Sequence, residues 1–326
     1  MSMNFEALHV PTSLVGTAFS NPSMDNPFTQ MLANTGINTL TIETYPSMFR
    51  ANITRFQNLI AFARSIGLKI HILNQYQDKG FDALAGMAPP FSSPPTLAQF
   101  ETYEVNAMTS YMSVSPDYLS VLVEPASWNS KLGTNYTAAN LVSLGNRVVN
   151  AIPAGVVVFV DGNPLGNTGD AAFLNSMLSN TRLNAIGIDV YDNFNQATLI
   201  NYSTTIRNAG KQVGWTETWW EDLYAEPQFD KPSNEPSEAA WFGQTVPFCQ
   251  ANGFTSYSPF FTNKFINTTP LPVPFTAANV TAEFNQLYSD LLAGARTSIY
   301  TAYQNIISGG PLPPQPTMLS LSVRTV

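Results

Sequence analysis

Short runs in which nearly every position is apolar alternate along this chain with longer stretches whose apolar residues return every three or four positions. The short runs have the length and β-branched content of strands. They are LVGTAF (14–19), INTLTIET (37–44), LKIHILNQ (68–75), DYLSVLVEP (117–125), GVVVFVDG (155–162), AIGIDVYD (185–192), QVGWTET (212–218) and FTSYSPFF (254–261). The longer stretches predict helices. One opens near Pro22 and closes at Gly36; in another, NITRFQNLIAFARSIG, residues Ile53, Phe56, Leu59, Ile60 and Ala63 share a face. Others cover TLAQFETYEVNAMTSYMSV, 137–150, DAAFLNSMLSN, ATLINYSTTIRNAG and SEAAWFGQTVPFCQANG, and a single long helix is expected from 279 to about 306. Gly36, Gly67, Gly210 and Gly253 stand where helix C-caps are expected.

Strands this apolar, each followed by a helix, imply a parallel sheet covered by helices. Eight such units in a chain of 326 residues favour a single α/β barrel, the (β/α)8 or TIM barrel, over an open doubly wound sheet. An open sheet of that kind also wants a glycine-rich turn after its first strand, and GTAFSNPS is no such turn. The barrel is expected over 1–306. The remainder, 307–326, reads as a proline-rich linker, GGPLPPQPT, and a short strand-like tail, MLSLSVRTV.

Composition narrows the function. Charged residues are only 11% of the chain, and 14 basic against 22 acidic residues leave a net charge of −8. With no basic run and no phosphate-binding GxxxxGK[ST], a nucleic-acid or nucleotide partner has no foothold. The histidines His9 and His71 are far apart and the single cysteine, Cys249, reads as a core residue, so no metal site is expected. No stretch of about 18 apolar residues is present to span a membrane. The N-terminus lacks a signal-peptide pattern, yet the low charge fits an extracellular or cell-surface protein. Oligomeric state is not legible.

In a barrel of this kind the chemistry gathers at the C-terminal ends of the strands. There the chain places Glu43, Thr44 and Tyr45 after strand two, and Asn74, Gln75 and Tyr76 after strand three. Glu124 ends strand four, Asp161 strand five, Asp189, Tyr191 and Asp192 strand six, Glu217 strand seven, and Tyr257 and Ser258 strand eight. Alternation along a strand would put Ser120, Leu122 and Glu124 on one side, and Trp215 with Glu217. Glu124 and Glu217 would then face each other across the mouth. Two carboxyls flanking a cleft are what glycosidic bond cleavage needs, one holding a proton and one ionised. Trp219 and Trp220 beside Glu217, and Trp128 after strand four, are candidate platforms for a sugar ring.

The glutamates of VLVEPASW and GWTETWW resemble those of the clan A glycoside hydrolases, at the ends of strands four and seven of an eightfold barrel. The clan includes cellulases, mannanases, xylanases and galactanases. The resemblance implies that Glu124, before Pro125, is the acid/base and Glu217 the nucleophile of a retaining, double-displacement mechanism needing no cofactor. It also makes Tyr191 of IGIDVYD the aromatic that hydrogen-bonds the nucleophile. Two positions depart from the clan: Val123 stands where an Asn contacts the substrate's 2-hydroxyl, and Tyr257 of SYSP stands where strand eight carries a Trp.

The expectation is therefore an endo-acting hydrolase of a β-linked polysaccharide. Glu124 and Glu217 are its catalytic candidates. Glu43, Tyr45, Asn74, Tyr76, Trp128, Asp161, Tyr191, Trp219 and Tyr257 are its substrate-binding candidates. Glu43, in IETY, resembles TETW and rivals either acid. Asn74 or Gln75 is expected to take over the missing contact at Val123. His71 reads as a satisfied core histidine, Trp215 and Trp241 as packing, and DGNPLGNTGD (161–170) as a turn-rich loop rather than a phosphate or calcium site. The rival reading is a barrel that binds glycan without cutting it, as one module of a larger surface protein.

Overall fold

The computed structural model describes residues 2–4, 22–75, 91–191, 195–219, 235–259, 262–266 and 277–310. Eight parallel strands lie side by side in chain order: β1 (Ser2–Asn4), β2 (Thr39–Thr44), β3 (Lys69–Asn74), β4 (Tyr118–Val123), β5 (Val157–Gly162), β6 (Ala185–Val190), β7 (Gln212–Thr218) and β8 (Ser256–Pro259). Ser258 Oγ donates to Thr41 Oγ1 at 3.3 Å, which brings β8 against β2 across the interior. The fold is a (β/α)8 barrel of the TIM type. The strand paired with β2 is Ser2–Asn4; the run expected to be the first strand, 14–19, lies outside the described residues, as does the tail from 311.

The two faces of the strands differ in kind. Leu40, Ile42, Ile70, Ile72, Leu119, Val121, Val158, Val160, Ile186, Ile188 and Val213 join the helices in one hydrophobic cluster. The alternate positions face inward and are largely polar or small: Thr41 and Glu43 on β2, His71 on β3, Ser120 on β4, Asp161 on β5, Gly187 and Asp189 on β6, Thr216 on β7. His71 bonds Ser120 Oγ at 2.9 Å, and burial holds its pKa down near 3, so it is the neutral core histidine the sequence suggested. Cys249 is buried in the outer layer.

Around the strands run α1 (Asp25–Ala33), α2 (Pro46–Ala51), α3 (Ile53–Ser65), α4 (Leu97–Met112), α5 (Trp128–Leu132), α6 (Ala138–Ala151), α7 (Thr168–Met177), α8 (Gln196–Asn208), α9 (Glu235–Ala251), α10 (Ala277–Leu292) and α11 (Ser298–Ile307). Capping chemistry sets several starts. Thr96 with Gln99 and Thr137 with Asn140 form capping boxes for α4 and α6, and Asn195 caps α8 through Thr198 N. The four expected glycine stops all adopt positive φ. The bidentate Arg55–Asp25 pair, both contacts at 2.7 Å, fastens α3 to α1. The one long helix expected at the end is two. Gly294 turns left-handed after α10, and Thr297 accepts from Tyr300 N to start α11 afresh. No helix among the described residues is long and apolar enough to cross a membrane.

Candidate active site

The acids reach the barrel mouth because two strands break their alternation. On β4, Ser120 is in register with Phe159 but Val123 with Asp161, so β4 fits one extra residue against β5. On β7, Trp215 pairs with Ile188 and Glu217 with Asp189, again one residue too many, and the slip repeats against β8. An inserted residue of this kind moves everything after it to the opposite face. Leu122 and Trp215 therefore do not share a side with Glu124 and Glu217, as strict alternation required. Leu122 lies in the cluster beneath the helices, and Trp215 packs there on Phe248 and Phe254 at 6.2 and 5.9 Å. Glu217 turns inward beside Asp189.

Glu217 is held from two sides. Gln75 Nε2 donates to Oε1 at 2.9 Å, and the Tyr191 hydroxyl donates to Oε2 at 2.7 Å. The carboxyl is only 3% exposed. Burial pushes its pKa well above the usual carboxylate range, helped by the charges of Glu43 and Glu124, while the Tyr191 hydrogen bond pulls it back. Both contacts come from donors, so the surroundings are those of a carboxylate acceptor, not of an acid seeking an acceptor. Tyr191 remains a phenol, since burial and the charge of Glu217 drive its own pKa up.

Glu124 sits at the rim, partly buried, directly after β4. Its backbone is left-handed, φ 43° and ψ 54°, a region that a residue with a Cβ seldom enters. Ser127 stabilises the turn by donating both N–H and hydroxyl to the Glu124 carbonyl, at 3.0 and 2.7 Å. Burial, then the charge of Asp170, raises the Glu124 pKa to about 7. An acid with that value is protonated in mildly acidic solution and can give its proton up, as a general acid must.

Further carboxyls line the interior. Asp189 accepts from Thr216 Oγ1 at 3.0 Å, and burial together with Glu217, Asp161 and Glu124 raises its pKa. Burial raises Asp161 to about 7; the hydroxyls of Ser120 and Thr216 favour its charged form, although neither makes a hydrogen bond of good geometry to it. Gly187 makes room for this group: a Cβ there would fall 1.5 Å from Asp161 Oδ1 and 2.4 Å from Thr216 Oγ1. Among the described residues, no set of three or more His, Cys, Asp or Glu is arranged to hold a metal ion. In the loop after β5, Asn163 accepts from Gly166 N and Asp170 from Asn163 N, the local bonding of a turn.

The structure thus brings together Glu217, Tyr191, Glu43, Asp161 and Glu124 from the sequence reading. It also adds Gln75, which the sequence offered only as a substitute contact, and Asp189. Other candidates lie elsewhere. Asn74 points away from the mouth: its amide donates to Glu104 Oε2 at 2.9 Å and Val121 O at 3.0 Å, and it accepts from the Tyr111 hydroxyl at 2.7 Å. Trp128 is buried against Phe100, with Nε1 bonded to Val123 O. Trp219 is buried against Phe242 and Phe265, with Nε1 on Glu238. Tyr257 packs toward α9 and shares a 2.7 Å hydrogen bond with Thr245. None of these three aromatics has a face free for sugar. Tyr45 occupies the N-cap position of α2 without a side-chain cap, buried in the hydrophobic cluster. Tyr76, Asp192 and Trp220 lie outside the described residues.

No protein-family model matches the chain. No curated protein matches it either. Solved structures do resemble it. Fungal β-1,4-galactanases align over 86% of this chain and 90% of their own, at 12% identity and a TM-score of 0.55. A GH30 endoxylanase from Clostridium papyrosolvens covers 94% of this chain and 70% of its own, at 11% identity and 0.55. An endo-β-1,4-mannanase from Thermotoga petrophila covers 96% and 77%, at 10% identity and 0.54. Identity this low establishes the fold. The barrel is built like those of these three enzymes, and no family is singled out.

Proposed function

We propose that the protein is a retaining glycoside hydrolase that cleaves a β-linked polysaccharide, acting outside the cell. The observation that carries this reading is the setting of Glu217. It is a buried carboxylate at the end of β7, with a hydrogen-bond donor on each oxygen and the rim acid Glu124 close enough to oppose its charge. Glu217 attacks the anomeric carbon while Glu124 hands its proton to the leaving oxygen. Glu124, now ionised, takes a proton from the water that releases the sugar from Glu217. Tyr191 and Gln75 keep the nucleophile in place and bias it toward its charged form. No cofactor enters these steps. The structural neighbours named for galactan, xylan and mannan cleavage make such β-1,4-linked chains the first substrates to try.

The test is reducing-sugar release from a panel of galactan, xylan, mannan and cellulose, by the wild type and by Glu217→Gln. Release by the wild type and its loss in a folded variant is the expected result. Equal release by both would sink the assignment of Glu217.

One observation favours the rival, a barrel that binds glycan without cutting it. Val123, beside the acid, is fully buried in register with Asp161 and offers no hydrogen bond to a substrate hydroxyl. Retarded migration in a polysaccharide gel with no new reducing ends would support that reading instead.

A further inference from the structure

Asp170, in the first turn of α7, is a buried carboxylate with two backbone partners. Oδ1 accepts the N–H of Ala126 at 3.0 Å, and Oδ2 accepts that of Asn163 at 3.2 Å. Ala126 is two residues beyond Glu124, inside the tight turn Pro125–Ser127. Asn163 follows the last residue of β5. One side chain therefore ties the segment after β4 to the segment after β5. Its approach is close: a Cβ on Gly162 would come within 3.1 Å of Asp170 Cβ, so a larger residue there would press Asp170 aside by a few tenths of an ångström.

The turn it fastens is the one that aims Glu124. With Glu124 left-handed and Pro125 lacking an N–H, the N–H of Ala126 is the first donor after the acid, and Asp170 takes it. The same carboxylate is the charge that bears on Glu124 most. Among the described residues, the groups that interact electrostatically with Glu124 are Asp170 from α7, Glu217 from β7, Asp189 from β6 and Tyr191 just after β6. Two N–H donors favour the ionised form of Asp170, against the burial that opposes it.

We propose that Asp170 is the positioning residue of the acid/base: its carboxylate fastens the left-handed turn that aims Glu124 and supplies the negative charge against which Glu124 must ionise. Asp170 touches no substrate in this account and works through Glu124. The proposal rests on the reading of Glu124 as proton donor given above.

The experiment is a carboxyl 13C NMR titration of the full chain, wild type and Asp170→Asn, together with the pH profile of kcat/KM. Asn keeps one acceptor oxygen and loses the charge. The Glu124 pKa should drop by about one unit, the scale of a nearby like charge, and the alkaline limb of kcat/KM should move down with it. A merely structural residue would lower activity without moving that limb. If Glu124 titrates as in the wild type, the proposal falls, whether or not the protein is a glycosidase. If Asp170→Asn does not fold, the wild type still decides. The Asp170 resonance must inflect where Glu124 titrates, and its absence overturns the pairing. A moving Glu124 in a protein that cleaves no glycoside would support the pairing and overturn the reading of Glu124 as proton donor.

Discussion

Replacing Tyr191 by Phe removes one atom, the hydroxyl that donates to Glu217 Oε2 at 2.7 Å. The ring keeps its place against β6, and Gln75 still donates to Oε1. The lost bond is to a charged acceptor, a class worth about 1.5–3 kcal/mol. Its loss falls on the ionised form of Glu217 alone. At about 1.4 kcal/mol per pH unit, the Glu217 pKa should rise by roughly one to two units. The sign is fixed, because the Tyr191 bond is the force that opposes burial and the charges of Glu43 and Glu124. In the pH profile of kcat/KM, the acid limb reports the group that must be ionised. It should move up by that one to two units, with rates on the limb down about tenfold to a hundredfold and the alkaline limb unmoved. A uniform loss at every pH, or no loss, would refute the claim that Tyr191 acts by holding Glu217 ionised.

Two other outcomes follow from the buried acids. Glu124, raised to about 7, must be protonated to act, so kcat/KM should fall above about pH 7; a flat profile to pH 9 would exclude it as the acid. Glu104, buried behind β3 and bonded to Asn74, is raised from 4.5 to about 7. The native state then keeps a proton that the unfolded chain sheds above pH 4.5, so stability from this group declines as pH climbs from 4.5 through 7. The decline is about 3 kcal/mol at 1.4 kcal/mol per unit. Denaturant melts of Glu104→Gln should gain on the wild type by about that much between pH 4.5 and pH 8, and an equal gap at both would contradict the assignment.

Much of the fold was legible because strand runs and helix periods are local signals. Seven of the eight expected strands fall on β2 to β8, within two or three residues at each end. The face each side chain takes was less legible. In strands buried on both sides, nothing in the residues distinguishes inward from outward, and Tyr257, like Trp128 and Trp219 beyond the strand ends, went to the helix layer, where Trp215 was expected. Glu217 reaches the interior through an extra residue on β7, and that slip exists only in the pairing with β6 and β8. Asn74 and Gln75 were adjacent and interchangeable on paper; alternation sends Gln75 to Glu217 and Asn74 to Glu104. Asp170 was legible only as part of the turn-rich loop 161–170, because its partners are backbone amides. A strand-end Glu before Pro, and a Glu at the end of an apolar run, were the features that did survive.

In the double-displacement mechanism Glu217 forms a covalent bond to the sugar. Incubation with a 2-deoxy-2-fluoro glycoside bearing an activated leaving group slows release of such an ester more than its formation. Peptide mass spectrometry of the labelled protein should then find the sugar on Glu217, with no label in Glu217→Gln. Label on Glu43, or hydrolysis with no label anywhere, would contradict the account.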